Sequence, residues 1–184
     1  MSEEMLVKYC SPTIMGMKTG NMFSYRFENK AEELDTLRTF NKRLSAKGLR
    51  MIPLRRLNDK TLVYLYRPSK LKKDLKDRAA ESILSSRGYS CDNADLCLAE
   101  LMKRLRKNED FPHEIGLFLG YPPEDVSGFI ENHAEGCKCV GCWKVYGDAE
   151  KAKNTFDKYK RCTELCCALV ANGFKIEQLA AEEV

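Results

Sequence analysis

Three thiols fall within six residues of this sequence, in Cys137-Lys138-Cys139-Val140-Gly141-Cys142, with Trp143 directly after them and His133 shortly before. Thiolates this close along a chain can fold around one soft metal ion, and Gly136 and Gly141 permit the tight backbone turns that such folding needs. A fourth ligand is offered by Cys162, or by Cys166 one turn further along a final helix, with His133 as a competitor. Sulfur-rich tetrahedral ligation suits zinc or an iron–sulfur cluster. The predicted metal ligands are therefore Cys137, Cys139, Cys142 and Cys162. The spacing is neither that of a paired C-x-x-C zinc ribbon nor that of a ferredoxin run, so structural thiols and a dithiol redox switch stand open beside metal binding. Cys166 and Cys167 fit a ligand role least, because they continue the apolar stripe of Phe156, Tyr159 and Leu169.

A second constellation combines Cys10, His113 and Glu114. Tyr9-Cys10-Ser11-Pro12-Thr13 reads as a helix start, with Ser11 as cap and Pro12 at the first helical position. Cys10 would then lie at a helix N-terminus, which lowers a thiol pKa, and a histidine opening a later strand could accept its proton. That is the layout of a papain-like thiol hydrolase. Its bland counterpart is a buried cysteine and a surface histidine. Lys18-Thr19-Gly20-Asn21 lacks the Walker spacing, and neither a Rossmann fingerprint nor a Ser-His-Asp signature is present.

The elements that must position these residues follow from periodicity and punctuation. Met22 to Phe27 reads as extended, and Leu34, Leu37, Phe40 and Leu44 mark a helix from Ala31 to Ala46, stopped at Lys47-Gly48. Leu49 to Arg56 and Thr61 to Tyr66 form a hairpin through Leu57-Asn58-Asp59-Lys60. Arg50, Arg55, Arg56 and Arg67 occupy its outward positions. Pro68 opens a helix to Ser86, and an Asp92-Asn93 cap starts another from Ala94 to Lys107. Glu114 to Gly120, apolar and bounded by prolines, reads as a central buried strand. A short helix, Pro123 to Glu131, leads to the cysteine elbow. Trp143 to Tyr146 is strand-like, and Asp148 caps a final helix stopped by Gly173. The expected architecture is α+β: a single domain over 1–184 with helices packed on a small, mostly antiparallel sheet.

Composition narrows the class further. A chain of 184 residues can bury a core without disulfides, and nine cysteines is an odd count that argues against a disulfide framework. Clustered thiols in a reducing compartment point to metal or redox chemistry. Glu3 and Glu4 stand where a secretory signal carries positive charge, and no apolar run approaches the ~20 residues of a membrane span, so a cytoplasmic location and no membrane partner are expected. The net charge of +4 hides an asymmetry: from Arg38 to Arg78 there are 14 Lys and Arg against three Asp, while from Glu109 to Glu150 nine acids face two lysines. The basic stretch is a candidate docking face for an acidic protein in a non-catalytic adaptor role. Nucleic acid is less favoured, because aromatic residues do not interleave with these charges.

Phe111-Pro112-His113-Glu114-Ile115-Gly116, Leu119-Gly120-Tyr121-Pro122, Glu124-Asp125-Val126, Gly128-Phe129-Ile130 and Trp143-Lys144-Val145-Tyr146, with Cys139, Gly141, Phe156, Tyr159 and Cys162, carry a resemblance. Cys10, Pro12-Thr13, Gly16, Lys18 and Phe23 extend it to the start of the chain. In these motifs the sequence resembles a family of uncharacterised proteins of anaerobic bacteria, a domain of unknown function. The resemblance shifts weight within the elbow towards Cys139, together with Cys10 and Cys162. It implies iron or redox physiology, with an acidic redox protein such as flavodoxin as the visitor to the basic face.

Overall fold

The computed structural model describes residues 1–90, 92–107 and 111–182. In chain order the elements are α1 (Glu3–Ile14), β1 (Gly20–Tyr25), α2 (Lys30–Leu44), β2 (Arg50–Leu57), β3 (Lys60–Tyr66), α3 (Pro68–Asp74) and α4 (Arg78–Ser86). They continue with α5 (Ala94–Arg106), α6 (Ile115–Phe118), α7 (Pro123–Glu131), β4 (Cys139–Val140), β5 (Lys144–Val145), α8 (Ala149–Ala171) and α9 (Ile176–Leu179). Antiparallel pairing gives a three-stranded sheet in the order β1-β3-β2 and a separate β4-β5 hairpin. The class is α+β, as the sequence predicts. By internal contacts the chain forms two compact units, one from Met1–Lys70 with Tyr159–Val184, the other Leu71–Lys158. Among the described residues no helix is long and apolar enough to cross a membrane.

The first unit wraps helices around the three-stranded sheet. Ser2 caps α1 by accepting from Met5 N, and Glu3 and Glu4 complement the positive end of the helix dipole. Leu6, Val7, Cys10 and Ile14 form its buried stripe, packed with Phe23, Val63 and Leu65 of the sheet and Leu37, Phe40 and Leu44 of α2. Cys166, Ile176 and Leu179 complete this core. Pro53 is tolerated because β2 is an edge strand and its register shifts between Pro53 and Arg55.

Helix α1 begins nine residues before the Ser11-Pro12 start that the sequence suggests, capped by Ser2 rather than Ser11. Ser11 Oγ instead donates to Val7 O, 2.6 Å away, and Pro12 sits inside the last turns. The basic face is also thinner than its residue count. Arg67 is 2% exposed, and its guanidinium donates to Thr13 O, Ile14 O, Lys47 O and Ala181 O at 2.6–3.0 Å. Arg56 binds Glu33, and Arg43 binds Glu3 and Glu177. Arg67 places a fixed cation at the C-terminal carbonyls of α1, where the helix dipole favours it.

In the second unit the single helix expected from Pro68 to Ser86 is broken, because Asp77 Oδ1 accepts from Ala79 N and Ala80 N and so starts α4 afresh. The run from Glu114 to Gly120 is one turn of helix rather than a strand. Its four helical residues are all buried, so they carry no period to distinguish the two. Glu114, 1% exposed, is fixed by Tyr89 Oη at 2.9 Å, with Arg104 Nη1 at 3.6 Å.

Replacing Arg67 with Met removes the guanidinium from four carbonyls, of which Thr13 O and Ile14 O keep backbone donors in Gly16 N and Ala181 N. It is expected to cost about 3–5 kcal/mol, the scale for breaking a buried charged network. Urea unfolding monitored on the full chain checks this, with exposed Arg50→Met shifting stability by no more than about 0.5 kcal/mol.

Candidate functional site

The cysteine elbow is held by one carboxylate. Pro122 and Pro123 start α7 after the Gly120 turn, and this brings Asp125 in its first turn to face the segment that follows the helix. Asp125 is 4% exposed. Its Oδ2 accepts from Trp143 Nε1 at 2.6 Å, and its Oδ1 from the backbone N–H groups of Tyr146 and Gly147 at 2.7 and 2.8 Å. A buried indole N–H needs an acceptor and a buried carboxylate needs donors; here each supplies the other.

Further bonds fix the rest of the elbow. Lys138 N donates to Val145 O, Lys138 Nζ to Gly147 O, Lys144 Nζ to Ala134 O, and Tyr121 Oη to Cys142 O. The Trp143 ring lies between Tyr121, stacked at 4.8 Å, and Phe156, edge-on at 4.6 Å. Gly136 does make the expected tight turn, at φ +67°, but Gly141 serves closeness instead: a Cβ there would sit 2.2 Å from the Phe156 ring.

This frame sorts the cysteines. Cys142 is exposed, and Cys137 and Cys139 are half-buried; none of the eight described cysteines forms a disulfide. Cys10, Cys97 and Cys166 are at most 1% exposed. Cys162 is half-buried against the core of the first unit, and its thiol is pushed up to about 12 by burial and then by neighbouring Cys166. Among the described residues no three His, Cys, Asp or Glu side chains stand grouped to hold one ion.

The activated Cys10 expected of a thiol hydrolase is not built. Cys10 lies two turns into α1 rather than at its N-terminus, has no solvent exposure, and burial pushes its pKa well above the ordinary thiol value. His113 belongs to the second unit, where its ring sits between Phe111 and Phe129 at 5.6 and 5.0 Å. Glu114 is tied to Tyr89. A nucleophile needs a reachable thiolate, and Cys10 offers neither access nor a lowered pKa.

Asp125 was not a candidate from its residue type, although Trp143, next to the thiols, implied a buried acceptor somewhere. Tyr121, Phe129 and Lys144 join it around a cavity beside Gly141 and Trp143. Tyr146 contributes a buried hydroxyl with no hydrogen-bond partner among the described residues.

Asp125→Asn keeps one acceptor oxygen but sets an amide NH2 among three donors. It should lower stability by about 2–3 kcal/mol, the scale for a hydrogen bond to a charged group. Trp143, the sole tryptophan, should show red-shifted emission. In protein stripped of metal by a chelator, iodoacetamide at neutral pH should modify Cys142 before Cys137 and Cys139, with Cys10 and Cys166 reacting only on unfolding, as peptide mapping would read directly.

No curated protein and no solved structure matches the chain. A family model described as Protein of unknown function (DUF3793) matches residues 6–180, and the chain belongs to that family.

Proposed function

We propose that this protein binds a soft metal ion, zinc or an iron–sulfur cluster, through the elbow thiols Cys137, Cys139 and Cys142, and serves redox or iron metabolism. The observation that carries the reading is the partition of the thiols. Within six residues three of them are kept out of the core, on a turn leading into Trp143, Tyr146 and Gly147, which Asp125 holds, while Cys10, Cys97 and Cys166 are packed away. Packing alone does not call for three thiols on a pinned, solvent-reachable turn.

Donor chemistry fits the group, since thiolates suit zinc and iron–sulfur centres. The Tyr146 hydroxyl fits as well. It is buried with no hydrogen-bond partner among the described residues, a donor suited to a metal-bound sulfur. The elbow supplies three ligands rather than a closed cage. When bound, zinc would lock the turn, and a cluster would carry single electrons.

Protein purified anaerobically should contain zinc or iron, with sulfide and visible absorption if a cluster is present. Cys139→Ser and Cys142→Ser should each lose the metal, while Cys97→Ser, whose thiol already donates to Ser90 O at 3.1 Å, should retain it. A folded, colourless, metal-free sample whose elbow thiols all react at once would overturn the reading.

A further inference from the structure

The elbow borders a cavity of about 280 Å³ whose walls are carbon-rich: Tyr121, Val126, Phe129, Val140 and Trp143, with Lys144 at one side. Two charged groups reach it, and they differ in what they have left to offer. Asp125 already accepts three hydrogen bonds. Lys144 Nζ donates one bond, to Ala134 O at 2.8 Å, sits 5.9 Å from the centroid of the Phe129 ring, and pairs with no described carboxylate. Among the described residues two of its three donors therefore have no hydrogen-bond acceptor.

We propose that this cavity binds a small aromatic carboxylate, its ring against Trp143 and Phe129 and its anionic group on Lys144 Nζ. Aromatic walls favour a flat apolar body, and a volume just below the ~300 Å³ lower end of drug-sized pockets limits that body to one or two rings. The unpaired ammonium sets the charge of the head group. Glu124, Glu131 and Glu135 are exposed, and exposed charges are screened over about 8–10 Å, whereas Lys144 is half-buried at the cavity itself. The proposal stands whether or not the neighbouring thiols hold a metal.

Because Trp143 is the only tryptophan, intrinsic fluorescence of the full chain reports on this cavity. Titration with 3-phenylpropionate should give a saturable change. The neutral 3-phenylpropionamide should bind at least about tenfold more weakly, as expected for loss of one charge-assisted hydrogen bond, and the cationic 3-phenylpropylamine more weakly still. Lys144→Met should abolish the preference for the carboxylate, and Lys144→Arg should preserve it. Should the Met variant misfold by circular dichroism, Val140→Phe provides the second arm: this side chain is 69% exposed at the rim, so the change leaves the fold intact while obstructing the cavity. It should weaken the carboxylate and the amide alike. A flat titration, an amide or amine that binds as tightly as the carboxylate, or binding indifferent to Val140→Phe would overturn the proposal.

Discussion

The segment after α7 depends on the Asp125 carboxylate and its three donors. A neutral acceptor could not replace it cheaply. The three N–H groups converge on two oxygens, and an ionised carboxylate accepts such bonds roughly twice as strongly as a neutral group does. Two of the donors are backbone, so they set the position of Tyr146 and Gly147 relative to α7. The third is Trp143 Nε1, which sets the orientation of the indole. With the indole fixed, Tyr121 and Phe156 can pack on two of its surfaces, and Gly141 must lack a Cβ for Phe156 to fit. The location of the thiols follows from these constraints, because Cys139 and Cys142 lie on the backbone between pinned points.

The first unit uses a buried charge of opposite sign for the same purpose. Arg67 gathers carbonyls from the end of α1, from the turn after α2 and from Ala181, segments distant in sequence that its guanidinium ties together. In both cases the charge is tolerated because its hydrogen-bonding capacity is matched to backbone groups. Glu114 shows the incomplete version: Oε1 accepts from Tyr89, while Oε2 has no hydrogen bond among the described residues and only Arg87 at 4.0 Å. Asp125 and Arg67 thus act as structural hubs, whereas Glu114 is neutralised more by proximity than by bonding.

The sequence was most legible where local signals were unopposed. The β2-β3 hairpin, α5, α7 and α8 fall within a residue or two of their expected limits, since each has a cap or turn residue beside a clear period. It misled at Ser11-Pro12, where a strong N-terminal pattern competes with Ser2 and its following acids; the apolar spacing of Leu6, Val7, Cys10 and Ile14 favours the earlier start. It misled again at Glu114 to Gly120, because a short run buried on all sides is equally apolar as strand or helix. At the elbow the thiols were visible as residue types, but their anchor was not. Asp125 works through contacts 18 to 22 residues along the chain, and no local pattern encodes such a reach. Arg67, counted by charge as surface, was misread for the same reason.

The elbow and the cavity share a backbone, and this constrains any account of what either does. Gly141 and Trp143 line the cavity, and Cys142 lies between them, with its carbonyl held by Tyr121, itself a cavity wall. A change in bonding at the Cys142 sulfur therefore acts on a loop that cannot shift without moving Trp143, and Trp143 cannot move without loosening its bond to Asp125. Coupling of this kind needs no long pathway. It would follow from placing the proposed metal site and the proposed ligand cavity on one turn, where both draw on the same few hydrogen bonds.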